Sequence, residues 1–357
     1  MHSSGANAAI DSGRIGRDQS VRQMMRPFDP FLDDPKVTEV LTNEPFKLWT
    51  KTFEGWQEHD VAALTPSYLK AVANTFVTYN NVQLKGVNYV VLPDGQRGTI
   101  IQPPAAADGM FAVIIRKHMT VARTLEELAS EGAFSNWRDM SFNKPSAEQA
   151  AAYLDAADFT RLEPFEVELL AIKRDGKITD FLERCVHYKR NIVIAGKTGS
   201  GKTTFARSLI EKVPTKERIL TIEDVHELML PSHPNKLHLM YGDAAGRISA
   251  REALAACMRA SPDRIFLAEL RGDEAWDYIT SLNTGHPGSI STVHADSAVQ
   301  TYQRIATLIK QSEVGQSLPV EMVREELLQT LNVTLHFHER KLTEVFYDPI
   351  FAKSKLA

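Results

Sequence analysis

The sequence predicts an α/β protein: a doubly wound, mostly parallel sheet over residues 161–357, preceded by a smaller α+β domain over residues 27–142. Three observations predict this. Beyond Asn191, apolar runs of strand length (Ile192 to Ile194, Ile219 to Ile222, Ile265 to Ala268) alternate with segments whose apolar residues recur at helical spacing, the pattern of βα crossovers. The run Ile192 to Ile194 is joined to its helix by a glycine-rich turn, Gly196 to Gly201. Upstream of about residue 140, short strands and turn residues dominate, with helices interspersed. At 357 residues the chain has length for two or three domains, each with its own core.

In chain order, residues 1–26 are rich in Ser, Gly, Asn and Ala, with scattered Arg14, Arg17, Arg22 and Arg26. They read as a tail, either a loose end or an arm for a partner or membrane surface. Phe31, Leu32, Val37, Val40 and Leu41 suggest a short helix, and Phe46 to Thr50 alternates like a half-buried strand, with Glu54-Gly55 available for a turn. Thr65-Pro66 supplies a cap and first residue for a helix with Tyr68, Leu69, Val72, Phe76 and Tyr79 on one face. Strands are expected at 87–92, 99–102 and 111–115, the first closed by the Pro93-Asp94-Gly95 turn. Thr124-Leu-Glu-Glu127 is a capping box. Residues 143–160, with Pro145, Ser146 and an alanine run, read as the linker between domains. Pro164 to Ile172 then forms a helix that Gly176 can end, and Phe181, Leu182 and Val186 mark another, whose core face accounts for Cys185.

Composition excludes several classes. Charge is nearly balanced, 41 Lys and Arg against 45 Asp and Glu for a net −4, so bulk charge gives no reason to expect nucleic acid as a partner. The 2 cysteines, Cys185 and Cys257, have no ligand-spaced partners, which argues against a disulfide framework or a cysteine zinc site and for a reducing compartment. No apolar run approaches a membrane span and no signal-peptide core is visible. Membrane contact is therefore expected to be peripheral or through a partner.

The turn between strand and helix fits G-x-x-x-x-G-K-[ST]. Gly196, Lys197, Thr198, Gly199, Ser200, Gly201, Lys202, Thr203 and Thr204 would wrap a nucleotide, because the glycines let successive N–H groups point at an anion at a helix N-terminus. Lys202 would reach the β- and γ-phosphates of ATP and Thr203 the Mg²⁺. Three further clusters place polar groups where apolar strands end, the edge at which such sheets bind ligands. Glu223-Asp224 follows Ile219 to Ile222, and Glu269 follows Ile265 to Ala268, with Arg271 two residues on. Either glutamate can hold Mg²⁺, directly or through water, or orient an attacking water. His286 stands in a Gly-Pro loop and His294 ends the strand Ser289 to Val293. Beside a triphosphate they can sense the γ-phosphate; away from one they are ordinary loop histidines. His336 and His338, alternating on one strand, read as structural.

Together these stretches resemble the secretion ATPase superfamily. Thr221 to Leu228 looks like its Asp box, Asp263 to Gly272 like its Walker B motif, and Thr284 to Ala295 like its His box. Within it, from about Phe28 to Asp348, the chain is most similar to the VirB-eleven-type traffic ATPases of type IV secretion systems; Phe31 to Pro35 and Thr124 to Phe134 share in the likeness. The resemblance implies a RecA-like C-terminal domain with ATP in the cleft beside the N-terminal domain. It also implies a hexameric ring at the cytoplasmic face of the inner membrane, working with other secretion ATPases and envelope components. Hydrolysis would use Lys202, Thr203 with Mg²⁺, Glu269 on the water and Glu223 as its assistant at the metal or water, the roles of the two glutamates being exchangeable. The His box implies an intersubunit relay with His286 the favoured sensor. Arg97 and Arg116, solvated strand-end arginines by local pattern, match by position a pair of N-domain arginines on the γ-phosphate. Type II secretion and pilus motors remain the nearest alternative, although 2 cysteines cannot build the zinc module of the former and the Ala-Ile-Arg-Asn segment of retraction motors is absent. A GTPase lacks its Asn-Lys-x-Asp here. A DNA-stimulated translocase and a non-hydrolysing scaffold are the readings from other classes.

Overall fold

The computed structural model describes residues 18–52, 54–117, 123–242 and 247–355. The chain divides into two compact units, Met1–Thr120 with Gly242–Arg247, and Val121–Tyr241 with Ile248–Ala357.

In the first unit a helix over 18–25 (α1) and the short α2 (Asp29–Leu32) precede strands β1 (Glu39–Thr42), β2 (Lys47–Thr52) and β3 (Gly55–Asp60). Helix α3 (Pro66–Tyr79) and strands β4 (Val87–Val91), β5 (Arg97–Ile101) and β6 (Ala112–Arg116) follow. The strands make one antiparallel sheet, ordered β3-β2-β1-β6-β5-β4. Helix α3 starts where expected: the Thr65 hydroxyl accepts the Tyr68 amide at 3.2 Å and Pro66 takes a position whose N–H needs no partner. Its buried face, Leu69, Val72, Ala73, Phe76 and Val77, joins Leu48, Ile100 and Ile115 in one core.

Two expectations fail in this unit. Val40 and Leu41 belong to β1, not to a helix, because β1 lies between β2 and β6 and pairs with both. Residues 18–26 are no tail: Val21 and Met25 are buried in the core, and the Arg22 guanidinium takes both oxygens of Asp94 at 3.0 and 2.5 Å. Arg14 and Arg17 lie outside the described residues.

The second unit runs α4 (Leu125–Ser130), β7 (Arg138–Asp139), α5 (Ala147–Ala152), α6 (Pro164–Arg174), α7 (Ile178–His187), β8 (Ile192–Ala195) and α8 (Lys202–Ile210). It continues through β9 (Ile219–Glu223), β10 (Lys236–Met240), α9 (Ala250–Met258), β11 (Arg264–Leu267), α10 (Glu274–Asn283) and β12 (Ile290–Val293). Helices α11 (Gln300–Gln311), α12 (Glu313–Ser317) and α13 (Val320–Thr330), strands β13 (Val333–His338) and β14 (Lys341–Phe346), and α14 (Pro349–Ser354) complete it. The expected single sheet is two ladders, β10-β9-β11 and β12-β8-β13-β14-β7, parallel except for the β13–β14 hairpin. They meet where Ser289 Oγ donates to Ile265 O and Thr292 Oγ1 to Ala268 O, both at 2.8 Å, so β12 continues β11 through side-chain bonds. Double winding shows in β8 itself: Ile192 and Ile194 join the core that contains Phe205 and Leu209 of α8, while Val193 and Ala195 face the core of α9, α10, α11 and α13.

The expected linker, 143–160, and the stretch before it are instead stitched into this unit. Strand β7 pairs with β14, and the Asn143 amide donates to Asp348 at 2.7 Å. The buried Lys173 ammonium donates to Asp139 Oδ1 (3.0 Å), Ser141 Oγ (2.6 Å) and Tyr347 O (2.9 Å). Ala150 and Leu162 are buried. An alanine-rich run between polar residues looks like a linker from sequence because alanine packs into a core as readily as it sits in water. The division falls near residue 120 instead.

Candidate active site

The phosphate loop is shaped by three glycines. Gly196, Gly199 and Gly201 have φ of 148°, 78° and 96°, where a Cβ is costly. At Gly196 a Cβ would also lie 2.3 Å from Phe337 O, so no side chain fits. Gly201 is the N-cap of α8, which opens directly with Lys202. The Lys202 ammonium, nearly buried, folds back to donate to Gly196 O (2.7 Å) and Lys197 O (2.9 Å), placing positive charge within the curl of the loop. Thr203 and Thr204 are half-buried on the first helical turn, and Ser200 Oγ is buried without a partner among the described residues. The loop is braced from the far side: the turn between β13 and β14, with Glu339 and Arg340 at φ 47° and 63°, presents the Arg340 amide to Ser200 O at 3.0 Å. Only its polar hairpin tip marked that brace in the sequence.

Three strand ends carry one connected polar chain. Arg271 donates to Asp224 Oδ2 and to Glu269 Oε2, each at 2.5 Å. Glu269 Oε1 lies 2.8 Å from His294 Nε2 but off the line of a hydrogen bond, so among the described residues this buried oxygen has no aligned donor. Burial first, and the charge of Lys202 next, push His294 below its ordinary pKa, so the ring is neutral at pH 7. The sequence had flagged Arg271 without the role of holding two carboxylates at once.

Glu223 differs. Its side chain is 0% exposed. Oε2 accepts the amides of Glu227 and Leu228, both at 2.7 Å, and Oε1 accepts Thr221 Oγ1 at 2.6 Å with His238 and His226 Nδ1 at 3.2 and 3.3 Å. Burial alone would raise its pKa, but the bonds from His226, His238, Leu228 and Thr221 outweigh it and hold the carboxyl at about 2. Fully buried, with Oε2 held by two amides and Oε1 hemmed in by Thr221 and two imidazoles, Glu223 meets neither the hydrated, oxygen-seeking Mg²⁺ of a nucleotide nor a water to be activated. Thr203 and the unpartnered Glu269 Oε1 do fit, being hard oxygens at the carboxyl ends of the strands.

The two histidines separate. His294 sits with Glu269, whereas His286 donates through Nδ1 to Pro262 O at 3.2 Å, ahead of β11 and β12. That is the opposite edge of the sheet, a strand length or ~13 Å away. His286 therefore does not join the phosphate loop of its own chain. Arg97 and Arg116 are direct cross-strand neighbours on β5 and β6, so the first unit does gather them into one half-buried basic pair.

Residues 160–340 match the family described as Type II/IV secretion system protein. The type IV secretion system protein VirB11 of Brucella suis is 38% identical over 354 residues, covering 95% of this chain and 93% of the relative. That of Bartonella quintana is 35% identical over 335 residues, covering 91% and 92%. This chain is a member of the VirB11 family. The family's solved Brucella suis ATPase, crystallised with sulphate, covers 97% of this chain and 99% of its own at 36% identity and a TM-score of 0.53. The pilus retraction motor PilT, with ADP bound, shares the fold at a TM-score of 0.59 and 16% identity over 92% of this chain and 85% of its own. VirB11 membership makes this a type IV secretion ATPase with a P-loop, RecA-like fold, which favours the type IV reading over the type II and pilus alternatives. Among the described residues no helix is long and apolar enough to cross a membrane.

Proposed function

We propose that the chain hydrolyses ATP with Mg²⁺ as one subunit of a hexameric ring that drives substrate transport or pilus assembly from the cytoplasmic face of the inner membrane. The observation that carries the chemistry is the unpartnered Oε1 of Glu269, held by Arg271 and beside a neutral His294 at the strand edge of the phosphate loop. Lys202 and the loop amides hold the phosphates. Glu269 orients and deprotonates the attacking water through Oε1, while Arg271 fixes its other oxygen. Bound Mg²⁺ would neutralise charge on the phosphate oxygens, held by Thr203 and, through water, by Glu269. Glu223 positions the loop after β9 and takes no part in the chemical step. His294, not His286, senses the γ-phosphate; His286 is left for contacts elsewhere in the ring. The basic pair Arg97 and Arg116 supplies charge to the γ-phosphate, a role worth ~10³ to 10⁵ in rate for such arginines.

Phosphate release from ATP, measured with and without EDTA alongside native mass, tests this reading. Magnesium-dependent release by a species of six subunits is expected, and assembled rings that bind ATP without releasing phosphate would leave only the scaffold. Salt-sensitive stimulation by DNA would favour the translocase instead. If Arg97→Ala and Arg116→Ala both hydrolyse normally, the arginine role is wrong.

A further inference from the structure

The cluster around Glu223 holds more than hydrogen bonds require. Strands β9 and β10 pair in parallel so that His238 stands opposite Thr221, on the face that also carries Glu223 two residues on. The loop after β9 returns His226 to the same place, with the two imidazole centroids 4.3 Å apart. Both Nδ1 atoms address a single oxygen, Glu223 Oε1, at 3.2 and 3.3 Å, and one ligand atom from each of the three residues lies within 4.8 Å of the others.

We propose that Glu223 Oε1, His226 Nδ1 and His238 Nδ1 form a binding site for a divalent transition metal of the zinc class, separate from the magnesium of the nucleotide. Bonds of ~2.0–2.1 Å around a tetrahedral ion separate its ligand atoms by ~3.3 Å, the spacing both histidines keep from the carboxylate. The surroundings are those of a supported ligand. Glu223 Oε2 is fixed by two backbone amides, and the Thr221 hydroxyl lies 2.6 Å from Oε1 and 2.7 Å from His238 Nδ1. Two imidazoles and one carboxylate suit Zn²⁺, Co²⁺ or Cu²⁺, whereas Mg²⁺ prefers oxygen alone. A ligating imidazole offers the Nδ1 lone pair and carries its proton on Nε2. The carboxylate is closed off and the ion enters past His226, whose side chain is 35% exposed. An ion here pins the loop that carries Asp224, and through Arg271 it steadies Glu269.

The test uses the full-length, tag-free chain without nucleotide, so its outcome is independent of the ATPase reading. Chelator-stripped protein is titrated with Co²⁺ alone and followed by its visible absorption. One equivalent giving a strong tetrahedral-type band is expected, with affinity at least ~10-fold weaker in His226→Gln and His238→Gln, while Mg²⁺ in excess leaves the band unchanged. Equal affinity in wild type and both variants, or no tetrahedral band, overturns the site. Should a variant fail to fold, Zn²⁺ protection of His226 and His238 in the wild-type chain from imidazole acylation, read by mass spectrometry, decides the same question. Selective protection of both supports the site, and unchanged modification rejects it.

Discussion

The carboxyl ends of β9 and β11 are neighbours in one parallel ladder, and each delivers a glutamate, yet the two sites are built for opposite purposes. At β9 Glu223 Oε2 is held by two amides, Oε1 faces Thr221 and two imidazoles, and water is excluded. At β11 Glu269 is gripped on one oxygen by Arg271, and the other is kept bare next to His294. A carboxylate enclosed in this way stabilises its loop but meets no water from which to take a proton. One held by a single oxygen is oriented and still offers a lone pair to water. An acid after an apolar strand thus marks the ligand-binding edge of the sheet, while its role is set by what the following loop does with its amides.

The largest effect separating these roles from simple anion binding is expected at the phosphate loop. Lys202→Ala should lose tight ATP binding and lower turnover by ~10³-fold or more, since its charge acts on bound ATP and on the transition state alike. Nucleotide titration and phosphate release measure both; retained affinity would mean that the loop amides suffice. Next, Glu223→Gln places an NH₂ group among donors and should destabilise the second unit by about 2–4 kcal/mol, seen as a lower denaturation midpoint. Its pH dependence sharpens the point. A carboxyl at about 2 in the folded chain and near 4.5 unfolded contributes stability that is complete above pH ~4.5 and is lost as pH falls toward 2. Acid unfolding of Glu223→Gln should be the shallower over that window; an unchanged slope would show that Glu223 is not held down. The smallest effects concern the histidines. His294→Gln should slow turnover by about 10-fold with ATP affinity kept, whereas His286→Gln should stay within about 2-fold in any preparation whose ring assembles normally.

The sequence reached some of this and missed the rest for identifiable reasons. The phosphate loop was readable residue by residue because a bound anion demands those glycines and that lysine at fixed spacing. The strands of the second unit were readable because both faces of β8, β9 and β11 are buried, leaving continuous apolar runs. The partners of Glu223 were not, since His238 arrives from β10 and the amides of Glu227 and Leu228 act through backbone that carries no signature of its own. His286 misled because a rigid Gly-Pro setting looks purposeful at either edge of a sheet, and only the order of strand and loop says which edge it occupies. Arg22 and the 138–160 stretch failed likewise: the Asp94 partner and the β14 strand that fasten them lie far away in sequence.

The division of labour between the glutamates is tested most directly by single-turnover hydrolysis of pre-bound ATP by Glu269→Gln in the full chain. The expected result is ATP bound near wild-type affinity and cleaved ~10²- to 10³-fold more slowly or not at all, with the denaturation midpoint unchanged. Cleavage at the wild-type rate would contradict it and place the base elsewhere.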